Sequence, residues 1–214
     1  MKSATELQAV HVEPSPVVRS LGRVDYEPTW RAMQAFTETR APETPDELWI
    51  VEHFSVFTVG LNGTPDHLLR RSDIPVVHVD RGGQITYHGP GQLVIYLLLD
   101  LRRRSYGVRE LVRRMERALI ALLAEEGVAA EGNVEAPGVY VGDAKIGALG
   151  LRVKNGCCYH GLALNIDLDL APFADINPCG HAGMPVTRTS DLGLDLTVEA
   201  AGGRLSRHLL DLLD

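Results

Sequence analysis

The segment that decides the fold runs from Arg81 to Tyr96 and reads RGGQITYHGPGQLVIY. Its four glycines, its arginine and its histidine lie between two runs of β-branched and aliphatic residues, 76–79 and 92–99. Such runs predict strands, so the glycines mark a strand–loop–strand junction. Glycine allows positive φ and lets backbone N–H groups approach a bound molecule. The segment therefore predicts a ligand-binding loop, although a tight surface connection would use the same glycines.

The composition indicates an intracellular enzyme of one domain. The chain has 214 residues, of which 45% are hydrophobic and 23% are charged, enough to bury a core without disulfides or a metal ion. Its three cysteines, with Cys157 and Cys158 adjacent, predict no disulfide framework and a reducing compartment. The sequence has no secretory h-region near its start and no apolar run long enough to span a membrane. With a net charge of −7, nucleic acid is not an expected partner, and we predict a cytoplasmic location.

Hydrophobic periodicity predicts strands in succession, with helices near the two ends of the chain. Residues 1–20 are predicted to be a flexible N-terminal lead-in, and residues 21–214 to form the folded domain. Helices are predicted over residues 27–39, 108–126 and 198–213, with a helical turn over 171–176. Strands are predicted over residues 48–54, 56–59, 76–79, 92–99, 138–141, 145–153 and 159–167. This order of elements indicates an α+β fold.

Two residues are candidates for the chemistry, and each also has an ordinary structural explanation. Cys179 lies between Pro178 and Gly180, a loop setting that leaves a thiol accessible, whereas Cys157 and Cys158 begin an apolar strand and are predicted to be packed. Most free cysteines behave as small hydrophobic residues and are inert. A lysine in a strand, such as Lys145, usually faces solvent. Residue type and spacing alone therefore leave both assignments open.

The segment from Arg81 to Tyr96 resembles the signature of the lipoyl(octanoyl) transferase family. The resemblance continues, in order, at AKIGALGLRV (144–153), YHGLALN (159–165) and PCG (178–180), and it covers the chain from about Trp49 to Thr187. It implies a single α+β domain in which helices cover a mixed β-sheet, similar to the catalytic domains of biotin and lipoate protein ligases. The residues 21–214 would then be an octanoyltransferase catalytic domain.

The resemblance also implies the reaction and its residues. In this family an octanoyl group moves from octanoyl-acyl carrier protein to one lysine of a lipoyl domain, the first step of endogenous protein lipoylation. The match makes Cys179 the nucleophile that carries the acyl group as a thioester, and Lys145 the residue that activates it. The implied acceptors are lipoyl domains of 2-oxoacid dehydrogenase E2 subunits and the glycine cleavage H protein. No cofactor, metal ion, nucleic acid or membrane is expected. The implied acyl-site residues are Arg81, Gly82, Gly83, Gln84, Ile85, Thr86, Tyr87, His88, Ala148, Leu149, Gly150, His160, Gly161, Leu162 and Ala163.

Two alternatives of other classes remain open. A lipoate or biotin protein ligase would share the fold but would use ATP and no cysteine nucleophile. A module that only binds carrier proteins or lipoyl domains would not need Cys179 and Lys145, so the presence of both favours the transferase.

The helix predicted over 108–126 has a basic outer face. Arg109, Arg113 and Arg117 recur every four residues and predict one stripe on that helix, suited to an acidic carrier protein. An ordinary solvated face of an amphipathic helix would look the same.

Overall fold

The computed structural model describes residues 14–64, 67–70, 72–133, 136–177 and 183–213. Within these residues the helices are α1 (Tyr26–Glu38), α2 (Val108–Glu125) and α3 (Val198–Leu213). The strands are β1 (Val17–Val24), β2 (Glu47–His53), β3 (Val56–Val59), β4 (Val76–His78), β5 (Ile85–His88), β6 (Gln92–Asp100), β7 (Glu131–Gly132), β8 (Gly138–Val141), β9 (Ala144–Lys154) and β10 (Cys157–Asn165). A 3₁₀ turn over Ala171–Asp175 corresponds to the predicted helical turn.

The strands form two sheets. The larger sheet has the order β1-β2-β6-β10-β9-β8-β7, and β1 pairs in parallel with β2 while the other neighbours are antiparallel. The smaller sheet has the order β4-β3-β5, with β3 parallel to β4 and antiparallel to β5. The predicted single domain with a mixed sheet and helices is confirmed.

The central strands are the apolar runs that the sequence marks most clearly. Every residue of β6 and β10 is buried, because helices cover both faces of the sheet. On one face α2 and α3 pack their apolar stripes, including Leu119 and Leu205, against the sheet. On the other face α1 packs through Trp30 and Met33. Among the described residues, no helix combines the length and apolar character needed to cross a membrane.

The fold begins earlier than the sequence predicts. Residues 1–13 of the predicted lead-in lie outside the described residues, but residues 17–20 belong to β1, which pairs with β2. The side chains of Val17 and Val18 are exposed, so this edge strand has no alternation of buried and exposed residues to reveal it. Backbone pairing holds it, together with an ion pair between Arg19 and Glu47 (2.7 Å).

The glycine-rich segment is not one loop. Residues Ile85–His88 form β5, which pairs with β3, because Ile85 and Tyr87 pack in a cluster with Phe57. The four residues of β5 are the shortest run in which alternation indicates a strand, and glycines on both sides favour a loop. The expected positive φ is found on both sides of this strand, at Gly83 (83°) and Gly91 (85°).

Candidate active site

A cleft of about 540 Å³, open to solvent, lies between the glycine-rich segment and the α1 face of the larger sheet. All the predicted acyl-site residues line it except Gly82 and Tyr87. The sequence prediction did not include three further lining residues, Tyr26, Val94 and Tyr96. The structure therefore brings together residues that are separated by up to 137 positions in the chain, from Tyr26 to Ala163.

The floor of the cleft is made of small residues from paired strands. Ala148 of β9 pairs with Ala163 of β10, and Gly150 pairs with Gly161 two residues further along. A Cβ at Gly161 would lie 2.0 Å from the carbonyl oxygen of Ile95, so the close pairing of β10 with β6 requires glycine there. Small floor residues leave a slim groove, the shape that suits an unbranched chain.

Lys145 lies at the start of β9 and is only 5% exposed. It is therefore not an ordinary strand lysine that faces solvent. Its Nζ donates to the carbonyl oxygen of Pro137 (3.2 Å) and lies 5.2 Å from the centroid of the Tyr140 ring. It borders a second cleft, of about 350 Å³, which shares Thr86 and Ala148 with the first cleft. The lysine is therefore at one end of the groove.

The backbone of Lys145 is tied to the chain that follows the predicted nucleophile. Its N–H donates to the carbonyl oxygen of Pro185 (2.9 Å), and the N–H of Thr187 donates to its carbonyl oxygen (3.0 Å). Cys179, with Pro178 and Gly180, lies outside the described residues. The segments on either side of it both reach the Lys145 cleft, through Phe173 before it and Val186 after it.

The other two cysteines are buried, as predicted. The Cys158 thiol donates to the carbonyl oxygen of Leu97 (3.5 Å), and burial raises the pKa of this thiol to about 12. Burial also raises the pKa of Cys157. Because the thiolate is the nucleophilic form, neither is suited to catalysis near neutral pH.

A chain of amide hydrogen bonds connects the two clefts. Asn165 Nδ2 donates to the carbonyl oxygen of Thr187 (2.9 Å), which turns Asn165 Oδ1 towards Gln92 Nε2 (2.9 Å). The Gln92 Oε1 that remains must then accept from His88 Nδ1 (2.7 Å). A backbone carbonyl can only accept, so the orientation of every group in the chain is fixed. His88 therefore carries its proton on Nδ1 and leaves Nε2 as an acceptor.

The histidines around the cleft are held neutral. His53 Nδ1 donates to the carbonyl oxygen of Val24 (2.9 Å), so its Nε2 accepts from the Tyr96 hydroxyl (2.6 Å). Burial lowers the pKa of His53 to about 4 and that of His88 to about 3. Burial also lowers the pKa of His160. These rings add hydrogen-bonding groups to the cleft without adding charge at physiological pH.

Asp80 organises the end of the cleft that lies away from Lys145, and the sequence prediction missed it. Its carboxylate accepts hydrogen bonds from His160 Nε2 (3.0 Å), Trp30 Nε1 (2.9 Å), Gln34 Nε2 (3.1 Å) and the Tyr159 hydroxyl. Partial burial opposes ionisation, but these hydrogen bonds prevail and hold the pKa of Asp80 well below its usual range. The sequence pattern does not reveal this contact, because Asp80 and His160 are eighty positions apart in the chain.

Arg81 lines the cleft as predicted, but its guanidinium is engaged with the protein. Nη2 donates to both the carbonyl oxygen and the hydroxyl of Thr58 (2.7 and 2.8 Å), which fastens the glycine-rich segment to β3. Among the described residues, no group of three or more His, Cys, Asp or Glu side chains is arranged to hold a metal ion.

Comparison with known proteins identifies the family of this chain. The family model "Lipoyl protein ligase A/B catalytic domain" matches residues 25–210. The octanoyltransferase of Chromobacterium violaceum is 64% identical over 90% of this chain and 93% of its own, and that of Laribacter hongkongensis is 65% identical over the same shares.

Solved structures show the same fold at low sequence identity. A bipartite lipoate protein ligase from Thermoplasma acidophilum, described with its E2 lipoyl domain, has a TM-score of 0.75 at 15% identity, covering 93% of this chain and 84% of its own. The biotin protein ligase of Aquifex aeolicus has a TM-score of 0.57 at 12% identity, covering 92% and 70%.

The fold is therefore that of the lipoate and biotin protein ligase catalytic domains. Within this group the chain belongs to the octanoyltransferases, and it is an acyltransferase of lipoate metabolism. The family, the fold and the enzyme class predicted from the sequence are confirmed.

Proposed function

We propose that the enzyme transfers an octanoyl group from octanoyl-acyl carrier protein to a specific lysine of lipoyl domains through a thioester on Cys179. The observation that carries the proposal is the position of Lys145, a buried lysine at the end of a slim groove. The chain segments on either side of Cys179 line the cleft of this lysine. Membership of the octanoyltransferases supports the identity of the acyl group.

In the first half-reaction the Cys179 thiolate attacks the carbonyl carbon of the donor thioester. A new carbon–sulfur bond forms, and the carbon–sulfur bond to the carrier breaks. The ammonium of Lys145 favours the thiolate by Coulomb attraction and gives its proton to the departing carrier thiolate. One thioester replaces another, so this half needs no external energy source.

In the second half-reaction the ε-amine of the acceptor lysine attacks the Cys179 thioester. A carbon–nitrogen bond forms, the carbon–sulfur bond breaks, and Cys179 leaves as the thiolate. Lys145, neutral after the first half, accepts the proton that the attacking amine loses. The ammonium and the thiolate are thereby restored, and all protons are accounted for.

The groove supports an alkyl substrate. Its floor consists of Ala148, Ala163, Gly150 and Gly161. Its histidines are neutral, and the guanidinium of Arg81 is hydrogen-bonded to Thr58, so an octanoyl chain meets an alkyl-compatible floor. Burying the chain would contribute about 0.8 kcal/mol for each methylene group removed from water.

We propose the same partners that the sequence resemblance implies. The donor is octanoyl-acyl carrier protein, and the acceptors are lipoyl domains of 2-oxoacid dehydrogenase E2 subunits and the glycine cleavage H protein. The structural neighbour described with its E2 lipoyl domain supports a lipoyl domain as acceptor. An odd number of cysteines, two of them buried thiols, supports a reducing compartment, and we propose the cytoplasm.

Intact-mass measurement tests the covalent step. Incubation with octanoyl-acyl carrier protein alone should add one octanoyl group, which hydroxylamine should remove. Cys179→Ala should carry no adduct, whereas the matched variants Cys157→Ala and Cys158→Ala should keep it. An adduct that persists in Cys179→Ala would refute the nucleophile assignment.

The energy source distinguishes transfer from ligation. Transfer from the carrier thioester should continue without ATP and in the presence of EDTA, because the donor carbonyl is already activated. Activity that instead requires free octanoate together with ATP would identify a ligase.

A further inference from the structure

Paired strands divide the floor of the groove into regularly spaced rows. Starting from the Lys145 end, the first row pairs Ala163 with Ala148, and the second pairs Gly161 with Gly150. The third row pairs Tyr159 with Arg152. Successive side chains on one face of a strand are about 6.6 Å apart, so the first and third rows are separated by about 13 Å. The floor thus changes from small residues to a tyrosine over that distance.

His160 lies where the small residues stop. The residue is 1% exposed, and its ring packs against the rings of Tyr159 (centroids 5.1 Å apart) and Tyr96 (6.2 Å). Both tyrosines belong to the cluster on the α1 face of the sheet, the face that carries the groove. The imidazole therefore closes the end of the groove that lies away from Lys145.

The backbone of His160 takes an unusual conformation to reach this position. Regular alternation along β10 would place His160 on the face opposite to Tyr159 and Gly161. Its φ of 63° is in the left-handed region, which is costly for a residue with a Cβ. The hydrogen bond from its Nε2 to Asp80 (3.0 Å) holds the ring there. Asp80 in turn is fixed by Trp30 and Gln34 of α1, so the wall is rigid.

We propose that His160 is the residue that sets the maximum length of the acyl chain. In an extended chain three single bonds span at most about 3.6 Å, so the seven carbon–carbon bonds of an octanoyl group span roughly 8 Å. A carbonyl carbon held beside the first row, next to the Lys145 cleft, would then bring the terminal methyl group to the imidazole before the third row. Two more methylene groups would collide with a ring that Asp80 prevents from moving. This role of His160 rests on the proposed octanoyl transfer.

Chain-length profiles test this role. The kcat/KM should be measured with hexanoyl, octanoyl, decanoyl and dodecanoyl thioesters of the carrier protein. His160→Gly removes the ring and tolerates the positive φ, and it should raise the decanoyl-to-octanoyl ratio about ten-fold or more, the usual effect of one or two methylene groups on fit. His160→Asn, which also tolerates this φ but is shorter than histidine, should give an intermediate ratio.

Tyr159→Phe is the matched control, because it removes a hydrogen bond to Asp80 and leaves the imidazole in place. It should leave the ratio at its wild-type value. If His160→Gly lowers kcat/KM equally for every chain length, His160 supports the fold and does not measure length, and the proposal is overturned.

Binding gives a readout that does not depend on transfer. Isothermal titration with octanoate, decanoate and dodecanoate should show the same change of preference in His160→Gly, whichever reaction the enzyme catalyses. If His160→Gly shows this change of preference but the wild-type enzyme transfers nothing from the carrier, the proposed function is contradicted and the length assignment is supported. Equal preferences in wild type and variant would refute the length assignment.

Discussion

Gln92 Nε2 donates to Asn165 Oδ1 at 2.9 Å across the pairing of β6 with β10, and this contact joins the acyl groove to Lys145. On one side Gln92 holds His88, and on the other Asn165 holds Thr187, whose N–H donates to the carbonyl oxygen of Lys145. The groove and Lys145, the proposed catalytic lysine, are therefore parts of one hydrogen-bonded unit.

Gln92→Glu should change how the rate depends on pH. A carboxylate can accept from His88 Nδ1 but cannot donate to Asn165, and its charge should raise the pKa of His88 from about 3 towards neutrality. As the pH falls from 8 to 5, the transfer rate of the variant should decline more steeply than that of wild type, because the protonated ring no longer has an acceptor at Nε2. NMR titration of His88 checks the cause. Gln84→Glu, which places the same charge elsewhere in the cleft, should shift His88 less.

Stability should decline in mild acid. His53, His88 and His160 have pKa values below the ordinary value of 6.5 in the folded protein, so the unfolded chain binds more protons. Stability must therefore rise with pH between about 4 and 6.5 and be lost as the pH falls through that range. His53 and His88 should each contribute on the order of 3 kcal/mol to the loss.

Urea unfolding at pH 7, 6, 5 and 4 measures this loss. His53→Gln removes one of the three groups and should reduce the slope of the free energy of unfolding against pH. Aspartates with lowered pKa values, such as Asp80, begin to contribute only below about pH 4. A wild-type free energy of unfolding that stays constant from pH 7 to 5 would show that the rings are not buried as neutral groups.

Asp46 should be the carboxylate whose loss is most costly to the fold. It is buried and accepts hydrogen bonds from the guanidinium groups of Arg40, Arg103 and Arg104 and from the Asp100 amide. Asp46→Asn removes the negative charge and leaves buried cations uncompensated, so it should lower the free energy of unfolding by about 3 to 5 kcal/mol. The exposed Asp195→Asn is the matched control, with an expected change within about 0.5 kcal/mol. Equal effects of the two substitutions would contradict the assignment.

The arginines between residues 103 and 117 fall into two groups. Arg103 and Arg104 bind Asp46, and Arg114 binds Glu110 and stacks on the Tyr106 ring, so these side chains serve the fold. Arg109, Arg113 and Arg117 are exposed on α2. On the same helix Glu116 accepts from the Gly138 amide, next to the Pro137 carbonyl that holds Lys145 Nζ. The exposed stripe therefore lies beside the loop that holds Lys145.

The double variant Arg109→Glu with Arg113→Glu should weaken use of an acidic carrier protein. Its KM for octanoyl-acyl carrier protein should rise about three- to ten-fold at low salt, with a smaller dependence on salt than in wild type. Turnover of a small octanoyl thioester should not change. Arg207→Glu, an exposed reversal on α3, is the matched control. If both donors are impaired to the same degree, the stripe does not dock the carrier.

The sequence predicted the elements whose burial is strongly periodic. The closing helix, α3, has the predicted bounds, and α1 and α2 agree within one residue at each end. Strand β1 (Val17–Val24) was missed because its exposed side chains give no pattern. Strand β5 was missed because it is only four residues long and is flanked by a glycine-rich sequence. Both strands depend on backbone pairing with distant partners, which residue types do not reveal.

Most of the residues that line the groove could be predicted from the sequence, but the hydrogen-bond network around the groove could not. The family resemblance identified the small residues of the floor, and at Gly161 the space available requires glycine. Asp80, Gln92 and Asn165 work through partners up to eighty positions away, and their roles depend on the fold. The predicted contact between Cys179 and Lys145 stays a prediction.

The glycine at position 161 limits how this enzyme can be altered. Its missing side chain makes room for the carbonyl of Ile95 as well as for the groove, so any substitution there would first separate β10 from β6. Ala148 and Ala163 carry no comparable constraint from the sheet. Substitutions that change the shape of the groove, whether engineered or natural, are therefore expected at the alanines and at the far wall, because the central strands require Gly161.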